Sequence, residues 1–473
     1  VSRPLLRVPA RAEALLPRLA AALEGTGPAL LPVPRTGPDE GRAPGAGADG
    51  DPDGVVPDAT ALALTTSGST GEPKTVLLGR DALRASAAAT AARLATAGTA
   101  AGPAAADRWL LALPVDHVAG VQVLVRSVLA GTAPAVLPPG PFRADAFTAA
   151  AAPLVAAAAP ALTSLVPTQL RRLLADPAAT EALRGFAAVL VGGAAASAEL
   201  VARARAAGVR LVLTYGMTET CGGCVYDGVP LDGVRVQLDG VDASGAGRVL
   251  LGGPVLALGH RDRPDLDAAA FVPGADGLRL LRTSDLGRRD ADGRLAVLGR
   301  LDDVVVTGGV NVAPAAVEAL LAGVPGVAEA LVVGVPDPEW GRALVALVVP
   351  TPGAGGTGAP DLLPAARAAV APRLGPAHAP RAVLVVDALP ARGPGKPDRR
   401  AAAALAAALL TSSALPAPDE RTPVAPTAPA PQPATPATRP GTRPATHGAG
   451  HGTGHGTGHG TGHGTAHGTG VPR

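Results

Sequence analysis

The chain has 473 residues, too many for one ordinary hydrophobic core, so two or more domains are expected. Its formal net charge is +2 with no strongly basic block in the body, which speaks against nucleic acid as a partner. Two cysteines exclude a disulfide framework, and aromatics at 2% mean that the cores must be packed from Ala, Val and Leu.

Residues 1–23, VSRPLLRVPARAEALLPRLAAAL, read as an amphipathic helix. Scattered arginines break any apolar stretch, so they do not read as a signal peptide, and a cytoplasmic protein is expected. ATALALT (59–65) then reads as a strand, and TVLLGRDALRASAAATAARLA (75–95) as a strand followed by a helix. Between them runs TTSGSTGEPK, a loop carrying Thr66, Ser67, Gly68, Ser69, Thr70, Gly71 and Lys74. Hydroxyls, close-approaching glycine backbone and one lysine suit a polyphosphate. Pro73 before Lys74 rules out a Walker A loop. Taken alone, SGSTG reads as a solvated turn.

The most apolar window, 149–166, is mostly alanine and is broken by Pro153 and Pro160, so it reads as a buried helix followed by a strand and not as a membrane span. From about 60 to 300, short Val/Leu runs (RWLLALP, APAVLP, ALTSLVP, AAVLVGG, VRLVLTYG) alternate with Ala/Arg-rich helical stretches. That alternation predicts an α/β architecture with a largely parallel sheet. Cys221-Gly-Gly-Cys224 does not open a helix after a thioredoxin-like strand and reads as two reduced structural thiols. From 228 to 300 the strands shorten into an antiparallel meander. Residues 301–410 read as a small α+β domain, after 1–300 as the first domain. Residues 411–473 collapse into Pro, Thr and Ala and then HGTG repeats, which cannot build a core and are expected to be disordered. Six histidines from His447 to His467 recur every four residues and should capture transition metals weakly, with a low-complexity tail as the simpler reading.

Four further stretches carry chemistry. In LTYGMTET, Tyr215 can lie against a flat base, Thr218 can bond a phosphate and Glu219 can hold Mg²⁺, which takes one or two carboxylates plus substrate phosphates. In RTSDLGRRDADGRLAVLGR, Asp285 can accept both ribose hydroxyls and Arg300 can reach the same sugar. In RLDDVVVTGGVNVAP, Asp302 lies between the two regions, and Gly308 and Gly309 form a turn able to approach a ligand. In LPARGPGKPDRR, Lys396 sits on a Gly/Pro loop before a terminal helix, a candidate to neutralise a transferring group. Each residue alone reads more simply as a strand end, turn former or solvated charge.

The order TSGSTGEPK, YGMTE, TSD, GRLDD…GG and P-x-x-G-K resembles the adenylate-forming superfamily of acyl-CoA synthetases, luciferases and nonribosomal adenylation domains. The likeness covers about residues 1–410. It implies an α/β fold, a large N-terminal domain followed by a mobile small one. It also implies ATP, Mg²⁺ and CoA as reactants and cofactor. By resemblance, the 66–74 loop holds phosphates, and Gly193 and Ala194 in VGGAAAS line the adenine and acyl pocket. Tyr215 and Gly216 flank the base, and Thr218 and Glu219 serve phosphate and metal. Asp285 and Arg300 hold the ribose, Asp302 is the hinge, Gly308–Gly309 serves the CoA step, and Lys396 bridges carboxylate and α-phosphate.

The stretches 113–131, 163–174 and 214–234 most resemble the o-succinylbenzoate–CoA ligases of menaquinone biosynthesis in their actinobacterial form. Their acid carries two carboxylates, and His117, Gln122 and Arg126 are the candidates to hold the second, with a helix-surface arginine as the alternative for Arg126. The expected partners are small molecules, with a homodimer left open. Other readings are activation of a different aryl or acyl acid, loading of a carrier protein, or a nonenzymatic acyl- or metal-binding relic. No carrier domain is visible, which favours free CoA.

Overall fold

The computed structural model of the chain describes residues 1–34, 52–67, 73–96, 107–157, 159–351, 361–393 and 396–412, all within one compact unit. The expected α/β alternation is present. Strands Ala135–Val136, Arg108–Leu111, Ala161–Leu165, Ala188–Val191 and Leu211–Met217 pair in parallel, and Gly222–Tyr226 and Val229–Pro230 extend the sheet antiparallel. The inner strands are mostly apolar, with Thr163 and Ser164 as polar members of a buried one, because helices cover both faces. Strand periodicity sorts their side chains. Trp109, Leu111, Leu162 and Leu190 join one core with the helices Ala12–Glu24, Arg80–Thr96 and Val118–Leu129. Leu110, Leu165, Val189 and Val191 face a second core under the helices Ala144–Val155, Pro167–Leu174, Pro177–Gly185 and Ala198–Ala206.

The window 149–166 is a helix end followed by a buried strand, as expected, but the helix runs through Pro153 and buries only the face of Phe147, Ala151 and Leu154. Among the described residues, no helix is long and apolar enough to cross a membrane. The N-terminal expectation needs correction. Ser2–Pro9 is a strand, and the helix begins only at Ala12. Arg3, Leu5 and Val8 turn inward while the residues between them are less buried, and the strand pairs in parallel with Ala29–Val33. Pro9 also removes a donor that a continuous helix would use.

Strands Thr60–Ser67 and Pro73–Gly79 form an antiparallel pair in a six-stranded sheet, and the two-residue strand Gly259–His260 adds beside Pro73–Gly79. Strands Arg235–Asp239, Ala246–Gly252, Phe271–Pro273, Arg279–Arg289 and Leu295–Arg300 form the expected antiparallel sheet, but not a simple meander, because Ala246–Gly252 pairs with Arg279–Arg289 and the chain between them visits the six-stranded sheet. After Arg300, strands Val327–Asp337, Gly341–Pro350 and Ala382–Val385 pack with the helices Pro314–Leu321, Leu362–Leu374 and Arg399–Ser412. Their apolar clusters draw only on residues beyond Arg300, and those before it only on earlier residues. The terminal helix reaches Ser412, so the tail expected from 411 starts later; residues 413–473, with all the tail histidines, lie outside the described residues.

Cys221 and Cys224 are free and buried. Burial pushes both thiols up, Cys224 to about 12, which leaves them protonated and poor nucleophiles at neutral pH.

Candidate active site

The site residues come from three sheets: Gly193, Ala194 and Tyr215–Glu219 from the parallel sheet, Lys74 and His260 from the six-stranded sheet, and Asp285 and Arg300 from the antiparallel one. Gly193 and Ala194 follow the strand Ala188–Val191, whose neighbour Leu211–Met217 carries Tyr215 and Gly216. Gly216 is obligatory here. A Cβ on it would stand 2.1 Å from the carbonyl oxygen of Gly222, a backbone atom of the adjacent strand. Gly216→Ala should therefore force the two strands apart, lowering stability by about 1–3 kcal/mol and displacing Tyr215 and Glu219. Denaturant midpoints and ATP affinity would report both effects.

After Met217 the chain makes a single 3₁₀ turn, Thr218–Thr220, pinned by the Thr220 hydroxyl, which accepts from the Met217 N–H at 2.9 Å. The turn aims Glu219 inward, where its side chain meets Lys74. The Lys74 ammonium donates to Glu219 Oε1 at 2.5 Å and lies 3.2 Å from His260 Nε2. Burial, the largest influence, would push the Glu219 carboxyl up; His260 and the Lys74 ammonium overcome it and bring it down to about 2. Strand register places Thr66 directly opposite Lys74, its hydroxyl donating to the Lys74 carbonyl at 3.4 Å. Gly68, Ser69, Thr70 and Gly71 lie outside the described residues, as does the Ser67 side chain.

A second group gathers around Asp285. The Tyr215 hydroxyl donates to Asp285 Oδ2 at 2.7 Å, and the Asp285 N–H donates to the Thr283 hydroxyl at 3.0 Å. Arg300 is the cross-strand partner of Asp285 and donates to Asp302 Oδ2 at 3.0 Å. Burial raises the Asp285 carboxyl above its ordinary range, only partly opposed by the Tyr215 hydrogen bond and the Arg300 charge. The structure thus brings together Tyr215, Asp285, Arg300 and Asp302, separated by up to 87 positions in sequence.

The helix Val118–Leu129 lays out the three residues considered for the acid. His117 is exposed at its N-terminus. Gln122 is buried and donates to the Cys221 carbonyl at 2.6 Å and the Ser86 hydroxyl at 3.3 Å. Arg126 is only 7% exposed, which corrects the helix-surface alternative. Its guanidinium reaches the hydroxyls of Thr90 and Tyr226 and lies 5.0 Å over the Trp109 ring. These partners let a charged group stay buried in a helix that faces the core.

The remaining residues lie beyond Arg300. Asp302 sits in the 3₁₀ turn Leu301–Asp303. Gly308 and Gly309 both take positive φ, and the Gly308 N–H donates to the Trp340 carbonyl at 3.0 Å. Lys396 opens the short strand Lys396–Pro397, paired with Ala391–Gly393; its side chain lies outside the described residues. Arg399, one turn on, grips Asp303 and Glu318 and anchors the terminal helix.

Sequence reading missed His260 and Asp267. His260 Nδ1 lies 2.7 Å from Asp267 Oδ1, which also accepts from the His260 N–H at 2.7 Å. The one signal in the sequence was an ordinary histidine in GHRDRPDLD, and only strand pairing with Val76 and Leu77 carries it to Lys74. Glu219 suits Mg²⁺ as a hard oxygen donor held in its ionised form. Among the described residues, no cluster of three or more His, Cys, Asp or Glu could hold a metal ion alone, so a cation at Glu219 would draw its other ligands from nucleotide phosphates and water.

Residues 12–255 match the AMP-binding enzyme family and residues 316–396 the AMP-binding enzyme C-terminal domain. A probable 2-succinylbenzoate–CoA ligase of Mycobacterium tuberculosis is 42% identical over 390 residues, covering 82% of this chain and 94% of that protein. The structure of o-succinylbenzoate CoA synthetase from Bacillus subtilis in complex with the acyl-adenylate intermediate OSB-AMP superposes with a TM-score of 0.61 at 27% identity, covering 81% of this chain and 80% of that one. The same enzyme in complex with ATP and magnesium ion gives 0.60 at 26% identity, over 81% of each chain. The match to the family spans both the Lys74–Glu219 pair and the Tyr215 strand, and the chain belongs to the AMP-binding enzymes.

Proposed function

We propose that this protein joins o-succinylbenzoate to CoA at the expense of ATP, through an acyl-adenylate, as an AMP-forming acid–thiol ligase of menaquinone biosynthesis. The observation that carries the reading is the 42% identity to a probable 2-succinylbenzoate–CoA ligase over 94% of its length. Its need for ATP and CoA fits a cytoplasmic site of action.

In the first step, a carboxylate oxygen of the acid attacks the α-phosphorus, the bond to the β-phosphate oxygen breaks, and pyrophosphate leaves. The loop from Thr66 through Ser67, Gly68, Ser69, Thr70 and Gly71 to Lys74 cradles the phosphates, with Thr218 beside it. Tyr215, Gly216, Gly193 and Ala194 hold the adenine. Asp285 and Arg300, paired across two strands, hold the ribose. A carboxylate offers about four acceptor sites, so Asp285 can accept the ribose hydroxyls while it keeps its bond from Tyr215. Mg²⁺ at Glu219 would neutralise phosphate charge, and Lys396 would bridge the carboxylate and the α-phosphate. In the second step the CoA thiolate attacks the acyl carbonyl, AMP leaves with the bonding pair, and the thiol proton goes to solvent.

Separate apolar cores on either side of Arg300 support a first domain of 1–300 and a mobile second one of 301–410, pivoting at Asp302. Rotation about that point would exchange the Lys396 face for the Gly308–Gly309 face between the two steps. His117, exposed at the start of its helix, and Arg126 are the groups available to the second carboxylate. Gln122 donates to protein groups and fixes that helix, whereas Arg126 bonds protein through Nη2 and its buried Nε has no partner among the described residues.

Pyrophosphate release and thioester formation, run with ATP, Mg²⁺ and a panel of acids with and without CoA, test the reading. o-Succinylbenzoate should give the mono-CoA thioester, and benzoate or medium-chain fatty acids should be much poorer. A pocket built for a second carboxylate leaves polar groups unpaired without it. Better turnover of benzoate or a fatty acid would overturn the substrate assignment and leave the ligase class standing.

A further inference from the structure

Lys74 can only donate, and two acceptors meet it among the described residues: Glu219 Oε1 and His260 Nε2. The Asp267 carboxylate can only accept, and it faces His260 Nδ1. One neutral tautomer satisfies both sides, with Nδ1–H donating to Asp267 and Nε2 accepting from Lys74. The imidazole is fixed in place. Its side chain is 1% exposed, its backbone N–H is tied to the same Asp267 oxygen, and its ring lies 6.0 Å from that of Phe271. Asp267 is built in closely too, since a Cβ on Gly259 would stand 2.4 Å from its Oδ2. Asp267 itself is half-buried on the short helix Pro264–Ala270, at the margin of the site.

We propose that His260, oriented by Asp267, is a positioning residue for the phosphate-binding half of the site. This rests on the adenylating reading above. A lysine on a strand next to a glycine-rich loop has a long, rotatable stem. With only Glu219 to bond, its ammonium would swing about one contact. The second acceptor sets its direction and leaves one of its three N–H donors for a phosphate. In that tautomer Nε2 carries a lone pair, so His260 bonds Lys74 and not Glu219 Oε1, 3.5 Å away, and acts on that carboxylate only through the lysine between them. The arrangement parallels the outer partners that orient the ligands of a metal site.

The test is calorimetric binding of ATP to the full chain, with and without Mg²⁺, alongside KM for ATP, acid and CoA. His260→Ala should weaken ATP·Mg²⁺ binding on the order of 10-fold or more, with KM for the acid and CoA unchanged. His260→Gln, whose amide oxygen can accept from Lys74, should restore most of the affinity. Asp267→Ala, on a helix with no fully buried residue, should reproduce the His260→Ala loss even where His260→Ala itself fails to fold. Wild-type affinity in both alanine variants would overturn the proposal. So would equal losses in His260→Ala and His260→Gln that track a fall in thermal midpoint and weaken the acid as much as ATP. Failure of the unaltered protein to bind ATP, or to release pyrophosphate with any acid, would instead overturn the ligase reading.

Discussion

Lys396→Ala is expected to slow acyl-adenylate formation on the order of 10²-fold or more, the cost of removing one preorganised charge partner from a developing anion. The carboxylate and the α-phosphate are both negative, and bringing them together concentrates charge that a single ammonium can offset. Lys396 stands three residues before Arg399, whose guanidinium is clamped by Asp303 and Glu318, so the segment that presents it is anchored at one end. Conversion of preformed acyl-adenylate to thioester should suffer far less, because the phosphate charge is by then on the leaving group. Pyrophosphate exchange measures the first half-reaction and single-turnover thioester formation the second. Equal losses in both would remove the assigned role.

Glu219→Gln should be nearly as damaging, for a different reason. The substitution keeps the shape and removes the charge that holds Lys74 and would hold Mg²⁺. Adenylate formation should fall on the order of 10²-fold, comparable to loss of another electrostatic partner, and the Mg²⁺ concentration needed for half-maximal rate should rise. Stability should change as well. Burial is outweighed by His260 and Lys74, so the carboxyl titrates at about 2 in the fold against 4.5 when unpaired. A lowered folded value means that the charge stabilises the native state above 4.5 and that the contribution is lost as pH falls towards 2. The gap between wild type and Glu219→Gln in denaturant unfolding should therefore be widest near neutral pH and close on acidification. A constant gap would mean that Glu219 acts through packing and not through its charge.

Much of the architecture was written locally. Apolar runs bounded by turns predicted the strands 108–111, 161–165, 188–191 and 211–217, and the break at Pro160 separated helix from strand in the most apolar window. The N-terminus was misread because Leu5, Val8, Leu15 and Leu19 satisfy a helical spacing about as well as two elements. What decides is that Ser2–Pro9 has Ala29–Val33 to pair with, and no local pattern contains that partner. The surface alternative for Arg126 fails for a related reason. An arginine on a helix is solvated by default, and here Thr90, Tyr226 and Trp109, brought from other elements, receive it.

The sequence by itself determined the α/β class, the order of motifs from Thr65 to Lys396 and the chemistry that those residue types can perform, because these depend on short-range spacing and side-chain identity. Only the tertiary structure decided that Lys74 meets Glu219, that Tyr215 bonds Asp285, and that His260 with Asp267 stands behind them. These partners lie 145, 70 and 186 residues apart. Their meeting depends on sheet register and on which strand ends share an edge. Register is set by the burial of whole faces, a property of the folded chain that no single stretch of it carries.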